Sequence, residues 1–397
     1  MPVEMEYVTR VAAGDGSRIP EDKIKLSFCG DLLLLKDMIA DGIDAGTGIR
    51  NYDYIFSYAK EYWKDSDWVV GVLEGPLAGE VAGWSNKGRQ DLMDGGARFN
   101  FPDEFGCAIR NAGIDMVTTA TNHLLDCEIC GAYRTVDVLR SMGLEQVGCY
   151  RSEQEFNSVK IVDIKGLKIA FIAYTAWCNS CERGYFFEGE GKHVVKLIAP
   201  KGRPWFEQCR WWVKHDFEEA RDSGADLIVA LPHMGTEFSH TPDPIQVDWC
   251  RYFVECGADI VFAAHPHVVQ PVVWEKKPTG EDALVIYCSG NFINSYTERD
   301  VDAGMIVDVY CDTKTRRLFC ADLIPVHSCR TTNGYCSLPV FDGIHETKGE
   351  IARAVIKKRL AEIHGIVTES AFGVRIPIDK ACGRYRMLAG GSRVFGV

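Results

Sequence analysis

The sequence predicts an α/β protein, and two observations support this prediction. Short apolar runs of strand length alternate along the chain with longer segments whose apolar residues recur at helical spacing. Five of the apolar runs are each followed by a side chain of a type that binds metal ions or moves protons. Because ligands of open α/β sheets bind at the carboxyl ends of the strands, these side chains are predicted to converge on one site.

The five strand-like runs are rich in β-branched and aromatic residues. In chain order they are Lys25–Gly30 before Asp31, Trp68–Leu73 before Glu74, Asp115–Thr121 before Asn122 and His123, Asp226–Pro232 before His233, and Asp259–Ala264 before His265 and His267.

The remaining elements follow from the same periodicities. Helices are expected at 53–63, 131–142, 205–223 (with Gly224 as the stop) and 346–363, two strands within 161–175, one at 284–288, and a hairpin over 303–325 around 312–315. The Gly-rich end, 371–397, is either a docked extension or a loose tail. We therefore divide the chain into an arm (1–21), a main domain (22–335) and a C-terminal extension (336–397).

Composition excludes several classes of protein. The 397 residues are 46% hydrophobic and 25% charged, as in ordinary globular proteins. A net charge of −12 without a basic stretch argues against a nucleic-acid partner. The apolar runs fall short of the roughly 18 residues that a membrane helix needs, so no membrane segment is predicted. The opening residues lack a signal-peptide pattern, and we expect a cytoplasmic protein.

The residues after the strands form a set of metal donors. Asp31 and Glu74 offer carboxylate oxygens, and Asn122 offers an amide oxygen. His233 adds a nitrogen donor. In an extended strand end, side chains at i and i+2 share a face, so His265 and His267 are predicted to reach adjacent ions.

Mixed nitrogen and oxygen donors favour Mn, Fe or Zn as the metal. Two such ions about 3.5–4 Å apart form a template for phosphoester hydrolysis. His123 is placed to protonate a leaving oxygen, and Asp126 to orient the imidazole of His123. Glu237, His240 and Asn291 are candidate substrate contacts.

The cysteines leave two interpretations open. Cys127 with Cys130, and Cys178 with Cys181, form two CxxC pairs that together offer four thiolates for structural zinc. The wide gap between the pairs fits no compact zinc site and favours reduced, buried thiols.

Six motifs resemble, in order, those of the bacterial poly-γ-glutamate capsule synthesis (CapA-like) proteins, a branch of the calcineurin-like metallophosphoesterase superfamily. The motifs are 30–31 (Gly-Asp), 73–77 (Leu-Glu-Gly-Pro-Leu), 120–126 (Ala-Thr-Asn-His-Leu-Leu-Asp), 233–237 (His-Met-Gly-Thr-Glu), 264–271 (Ala-His-Pro-His-Val-Val-Gln-Pro) and 289–292 (Ser-Gly-Asn-Phe). The 120–126 and 264–271 motifs are the specific ones, whereas Gly-Asp by itself carries no weight.

The resemblance implies a four-layer α/β/β/α sandwich with a dinuclear metal site. It implies metal ligation by Asp31, Asn122, His233, His265 and His267, with Glu74 as the bridging ligand and His123 as the acid. Two positions depart from the wider superfamily. Leu33 stands where its Asp-x-His motif has histidine, and Glu74 stands where it has aspartate.

The function expected from these residues is metal-dependent hydrolysis, in which a metal-bound hydroxide attacks a small-molecule phosphoester and His123 acts as general acid. Two alternatives stay open. One is that the protein binds a poly-γ-glutamate-type polymer as an accessory of its synthesis, and the other is that it hydrolyses γ-glutamyl amides at the same metals. Members of the resembled family often carry a membrane anchor at the cell surface.

Overall fold

The computed structural model describes residues 10–11, 19–85, 97–179, 181–331, 333–341, 353–377, 383–390 and 393–396. The strands in this part of the chain are β1 Arg10–Val11, β2 Lys23–Leu32, β3 Trp68–Leu73, β4 Met116–Thr118, β5 Glu145–Val147, β6 Lys160–Ile164, β7 Leu167–Thr175, β8 Leu227–His233, β9 Ile260–Phe262, β10 Val272–Lys276, β11 Asp282–Ile286, β12 Asn291–Ile293, β13 Ala303–Asp312, β14 Arg317–Thr331, β15 Gly334–Pro339, β16 Tyr385–Leu388 and β17 Arg393–Gly396.

The helices of the described residues lie between these strands. They are α1 Lys36–Asp41, α2 Asp103–Asn111, α3 Glu128–Ser141, α4 Glu153–Phe156, α5 Gly184–Phe187, α6 Phe206–Asp222, α7 Pro244–Cys256 and α8 Arg353–Phe372, with 3₁₀ turns at Asp53–Phe56, Ala59–Tyr62 and Glu80–Ala82. No helix among the described residues has both the length and the apolar character that crossing a bilayer requires.

The strands form two sheets. The larger sheet has the order β1-β17-β16-β14-β13-β2-β3-β4-β5, with β12 also paired to β2 and β15 to β14. The smaller sheet has the order β10-β11-β9-β8-β7-β6. Strands β2 to β5 run parallel in the first sheet, and β7, β8, β9 and β11 run parallel in the second. The carboxyl ends within each parallel set therefore lie along one edge of its sheet.

The two sheets pack face to face. Alternate residues of β2 divide between two cores, because Phe28 belongs to the cluster between the sheets and Cys29 to a second cluster with α2. Phe28 stacks on Phe262 of β9 with ring centroids 5.1 Å apart. This contact joins the sheets directly.

Helices cover the outer face of each sheet. On the larger sheet, Phe105 of α2 lies in the outer apolar cluster with Val69 of β3. On the smaller sheet, Phe253 of α7 stacks on Tyr174 of β7 at 5.4 Å and on Phe217 of α6 at 6.2 Å. The result is the predicted four-layer α/β/β/α arrangement.

The helices predicted at 131–142 and 205–223 are confirmed as α3 and α6. The residue expected to stop α6, Gly224, has a φ of 81° that favours glycine. The strands within 161–175 and the hairpin around 312–315 are also confirmed as β6, β7, β13 and β14.

The single helix predicted at 53–63 is wrong. The segment forms two separate 3₁₀ turns, Asp53–Phe56 and Ala59–Tyr62. Its aromatic residues have low helix propensity, and the hydroxyl of Ser57 donates a hydrogen bond to the carbonyl oxygen of Tyr54 at 2.7 Å. Short turns bury the same apolar residues, including Ile55, Phe56 and Trp63, that suggested a helix.

The helix predicted at 346–363 ends later than predicted. The described helix, α8, runs from Arg353 to Phe372, and residues 346–352 lie outside the described part. Its buried side chains Leu360, Ile363, Val367 and Ala371 continue the apolar spacing past the predicted end. Packing of this stripe therefore extends the helix for nine residues beyond 363.

The described part of the C-terminal end is docked. Strand β16 pairs with β14, and β17 pairs with both β16 and β1 of the N-terminal arm. Buried Asp322 on β14 accepts two hydrogen bonds of 2.7 Å from the guanidinium of Arg386. The predicted boundary between residues 335 and 336 lies inside β15. The larger sheet also contains β1 from the predicted arm and β16 and β17 from the predicted extension, so it includes strands from all three predicted segments.

We predict that Phe28→Ala lowers the free energy of unfolding by about 3–5 kcal/mol, because it empties the contact between the sheets. Urea unfolding followed by circular dichroism measures the change. Trp211→Ala, at a side chain that is 59% exposed on α6, is the control and should change stability by less than about 1 kcal/mol. Equal losses in both variants would contradict the assignment of the core.

Candidate metal centre

The polar residues predicted to converge come from both sheets. Asp31 is the next-to-last residue of β2, and Glu74 directly follows β3. His233 is the last residue of β8. The other three follow β4 and β9, and the exposure of all six residues is 0–2%: Asp31, Glu74, Asn122, His233, His265 and His267.

These residues form two donor groups that share Glu74. The first donor group is Asp31, Glu74 and His267; the second is Glu74, Asn122, His233 and His265. Each group brings carboxylate or amide oxygens together with imidazole nitrogens.

In the second donor group, Nε2 of His233 is the central atom. It lies 3.0 Å from Oδ1 of Asn122 and 3.3 Å from Oε1 of Glu74. Nδ1 of His265 lies 3.2 Å from the same nitrogen. Four donor atoms from four chain segments therefore face one another.

In the first donor group, Nδ1 of His267 faces two carboxylates. It lies 3.4 Å from Oδ2 of Asp31 and 3.7 Å from Oε2 of Glu74. The two oxygens of Glu74 thus face different groups, as a bridging ligand requires.

The buried oxygens of this centre fit a bound cation. Both carboxylate oxygens of Asp31 and both of Glu74 are buried and have no hydrogen-bond partner among the described residues. Burying a carboxylate without such partners costs several kcal/mol. Burial raises the pKa of both carboxyl groups, and in Asp31 the neighbouring charge of Glu74 raises it further. Metal ions would supply the missing partners.

The imidazoles have opposed protonation tendencies. Burial lowers the pKa of His233 to about 3, and burial together with neighbouring imidazoles lowers the pKa of His265 well below its usual value. Both are therefore neutral, which is the form that binds metals. Burial also disfavours charged His267, yet Glu74 and Asp31 outweigh it and raise its pKa to about 10. The carboxylates thus attract positive charge to this position.

The backbone geometry predicted for the last two histidines is wrong. Strand β9 ends at Phe262, and His265 and His267 have φ angles of 104° and 61°. They lie in a turn with left-handed residues, not on one face of an extended strand. Such backbone costs about 1–3 kcal/mol per residue and is typical of functional sites. The turn brings the two imidazole centroids to 5.7 Å.

His123 and Asp126 form a buried pair beside the donors. Nδ1 of His123 lies 2.6 Å from Oδ2 of Asp126, which also accepts a hydrogen bond from the backbone N–H of Phe99. Burial would lower the pKa of His123, but the Asp126 carboxylate outweighs burial and raises it. His123 can therefore hold a proton and donate one through its Nε2.

Asn179 was missed by the sequence analysis. Its side-chain nitrogen lies 3.4 Å from both ring nitrogens of His123, and its backbone N–H donates to the carbonyl oxygen of Asn122. It follows β7, so the rule that polar residues follow strands would have found it. The intervening Trp177 and Cys178 hid this signal, because the segment was considered only as a CxxC pair.

The three candidate substrate contacts have different positions. Glu237 is half-exposed, with Oε1 3.9 Å from Nε2 of His265. Asn291 is buried, with Oδ1 2.9 Å from Nδ1 of His267. His240 lies further out: its Nδ1 is 2.8 Å from the carbonyl oxygen of Val269 and 3.0 Å from Oγ of Ser370 on α8. His240 therefore joins its loop to the C-terminal helix.

The CxxC thiols are part of none of the donor groups found among the described residues. The thiol of Cys178 lies 3.6 Å from the carbonyl oxygen of Thr121, and that of Cys130 lies 3.7 Å from the carbonyl oxygen of Cys127. Both are contacts between a thiol and a backbone carbonyl oxygen.

Comparison with protein families gives one match over most of the chain. The model described as "Bacterial capsule synthesis protein PGA_cap" matches residues 25–296. This chain belongs to the bacterial capsule synthesis protein family. The matched region contains both donor groups, together with His123, Asp126 and Asn291.

Two curated relatives share the matched region. The chain is 25% identical to the capsule biosynthesis protein CapA of Bacillus anthracis over 276 residues, which are 68% of this chain and 60% of that protein. It is 22% identical to the PGA biosynthesis protein CapA of Bacillus subtilis (strain 168) over 274 residues, 69% of this chain and 64% of that protein. This chain thus spans about three fifths of the length of these relatives.

Two solved structures are similar at low identity. The calcineurin-like phosphoesterase YfkN from Bacillus subtilis has a TM-score of 0.41 and 10% identity, covering 86% of this chain and 98% of that one. The protein TT1561 of Thermus thermophilus has a TM-score of 0.36 and 9% identity, covering 74% of this chain and 96% of that one.

We predict that Glu74→Gln has opposite effects on stability with and without metal. In chelator-treated protein it should raise the free energy of unfolding by roughly 1–3 kcal/mol, because it removes one of two buried, mutually repelling carboxylates that share the single positive charge of His267. In protein saturated with Mn²⁺ it should lower that free energy relative to wild type, because both donor groups lose a ligand. Denaturant unfolding measures both differences.

The matched control is Glu80→Gln, at a side chain that is 77% exposed. It should leave stability unchanged in both conditions. A Glu74→Gln effect of the same sign with and without Mn²⁺ would contradict a metal-bridging role.

Proposed function

We propose that this member of the family is a metal-dependent hydrolase that cleaves a phosphoester. The observation that supports this most strongly is the pair of buried donor groups sharing one carboxylate, Glu74. In the proposal, two divalent transition-metal ions (Mn, Fe or Zn) are held by Asp31, Glu74, Asn122, His233, His265 and His267. Two such ions supply Lewis acidity, which acidifies water near neutral pH and neutralises charge on phosphoryl oxygens.

His123 acts on the leaving group in this proposal. Asp126 fixes the proton on Nδ1 of His123, so Nε2 faces the substrate. When the bond from phosphorus to the leaving oxygen breaks, the proton on Nε2 passes to that oxygen. The Phe99 ring, 4.1 Å from the imidazole, limits access of water to this pair.

A groove provides room for a substrate larger than inorganic phosphate. It has a volume of about 870 Å³ and includes Tyr296, whose ring lies 5.6 Å from that of His267. Its opposite wall is formed by α8, including Arg359. The groove therefore lies between Tyr296, which is beside the metal centre, and the C-terminal helix, and none of the six proposed metal ligands lines it.

We predict that His123→Ala lowers kcat by about 10²–10⁴-fold for an alkyl phosphodiester in Mn²⁺-loaded protein, because the leaving alkoxide needs a proton. For a 4-nitrophenyl ester, whose leaving group is stable as an anion, the loss should be under about ten-fold. Steady-state kinetics on matched substrates measure both ratios. Metal content should be unchanged.

His215→Ala, on α6, is the control and should leave both rates unchanged. If wild-type protein hydrolyses no phosphomonoester or phosphodiester above the level of Asn122→Ala, the phosphoesterase proposal is wrong. Equal losses of kcat on both substrates would contradict only the proposed acid role of His123.

Binding of an anionic polymer is the second candidate function, and the match to the PGA biosynthesis protein CapA of Bacillus subtilis supports it. Arg299, Arg330, Arg359 and Arg375 reach the groove from four chain segments. Arg375 is an exposed residue, and its guanidinium lies against Gly365 of α8. Five carboxylates line the same groove: Glu298, Asp300, Asp302, Glu362 and Glu369. In a chain of net charge −12, the positive field for an anionic polymer would therefore come from bound metal ions.

We predict that poly-γ-glutamate binds Mn²⁺-loaded protein more tightly than chelated protein, and that Arg375→Ala weakens binding by about 1–2 kcal/mol. Titration calorimetry measures both. Arg203→Ala, an exposed arginine outside this groove, is the control. Equal binding with and without chelator would contradict the polymer proposal. Release of glutamate during the titration would instead indicate γ-glutamyl amide hydrolysis at the same residues.

A further inference from the structure

We infer that the side-chain oxygen of Asn291 is a further ligand in the first donor group. This inference rests on the proposed dinuclear centre. Each group has three histidine or carboxylate donors, and in the second an amide oxygen, Oδ1 of Asn122, also lies 3.0 Å from His233. Leu33, just beyond β2, offers no donor, and its buried side chain belongs to the outer apolar cluster. The first group therefore has room for another protein ligand.

The position of Asn291 matches that of a ligand. Its Oδ1 is 2.9 Å from Nδ1 of His267, the nitrogen that faces Asp31 at 3.4 Å and Glu74 at 3.7 Å. Donor atoms about 2.1–2.3 Å from one ion lie roughly 3 Å apart at right angles. The amide oxygen thus stands among the donors at the spacing of ligands on a shared ion.

The orientation of the Asn291 amide is fixed by the backbone. Its Nδ2 donates a hydrogen bond to the carbonyl oxygen of Val301 at 3.2 Å, so Oδ1 points toward His267. The side chain is completely buried. Water therefore does not compete for this oxygen from outside.

Strand pairing brings Asn291 to Asp31. Strands β12 and β2 are parallel, with Asn291 directly opposite Asp31. The approach requires glycine at position 30, because a Cβ there would lie 1.9 Å from the carbonyl oxygen of Gly290. The next residue, Phe292, stacks on Phe56 at 5.7 Å in the outer cluster. The pairing is irregular between Asn291 and Ile293, so the 2.9 Å contact of Oδ1 with His267 is the observation that places the Asn291 side chain toward the donors.

A role in which Asn291 only orients the imidazole of His267 explains fewer of these contacts. If Nδ1 of His267 carried a proton donated to Asn291, that nitrogen could not bind an ion, although it is the atom that faces both carboxylates. The oxygens of Asp31 and Glu74 would still lack hydrogen-bond partners among the described residues. If Nδ1 binds an ion, it donates nothing, and Oδ1 of Asn291 takes the same ion as its partner.

The test is titration of chelator-treated protein with Mn²⁺ by calorimetry. Wild type should bind two ions. Asn291→Ala should retain one ion at wild-type affinity and bind the other at least ten-fold more weakly. Asn291→Asp should bind that ion more tightly than wild type, because a charged oxygen replaces a neutral one at the metal.

Asn294→Ala is the matched control. Asn294 is also buried and its Nδ2 donates to the same carbonyl oxygen of Val301, at 2.9 Å, but its Oδ1 accepts from the backbone of Tyr296. It should bind both ions as wild type does.

The outcomes separate this inference from the proposed function. Weaker binding in Asn291→Asp would indicate an orienting role, because aspartate would hold the proton on Nδ1 of His267, and would overturn the inference. Wild-type titration curves in Asn291→Ala would also overturn it, while the dinuclear centre stands. A wild type that binds no ion would overturn both.

Discussion

Two buried carboxylates, Asp31 and Glu74, set the main physical constraint on this molecule. Both are fully buried, and neither has a hydrogen-bond partner among the described residues. Because such charges are costly in a protein interior, the surrounding structure has to compensate the two carboxylates with positive charge. The imidazole of His267, held between the two carboxylates, and the neutral imidazoles of His233 and His265 provide a nitrogen-rich setting in which metal ions satisfy that requirement.

The architecture explains how the carboxylates and imidazoles meet. Each sheet has a parallel set of strands, so polar residues after successive strands collect along one edge. The larger sheet contributes the carboxylates and Asn122, and the smaller contributes the histidines. Packing of Phe28 on Phe262 holds the two edges together. The docked C-terminal helix then adds a wall to the groove beside the centre, and Ser370 on that helix contacts His240 in the loop that also carries Glu237.

Much of this arrangement could be predicted from sequence, since strand-length apolar runs ending in Asp31, Glu74 and His233 carry a local signal. The turn at His265 and His267 could not be predicted from sequence, because left-handed φ angles at histidine leave no mark in the hydrophobic pattern. The segment 53–63 shows a second limit of prediction from sequence. 3₁₀ turns bury apolar residues at nearly the same sequence spacing as an α-helix does. The approach of Asn291 to Asp31 joins strands 260 residues apart in the chain, and such pairing is set by tertiary structure.

The most direct test of the account is the metal content per chain, measured by inductively coupled plasma mass spectrometry on protein purified without chelators. The His265→Ala, His267→Ala double variant is measured beside it, with folding checked by circular dichroism. The account predicts close to two transition-metal ions per wild-type chain and their loss from the folded double variant. Wild-type protein without metal, or the same content in both proteins, would contradict the claim that this centre is built to hold metal ions.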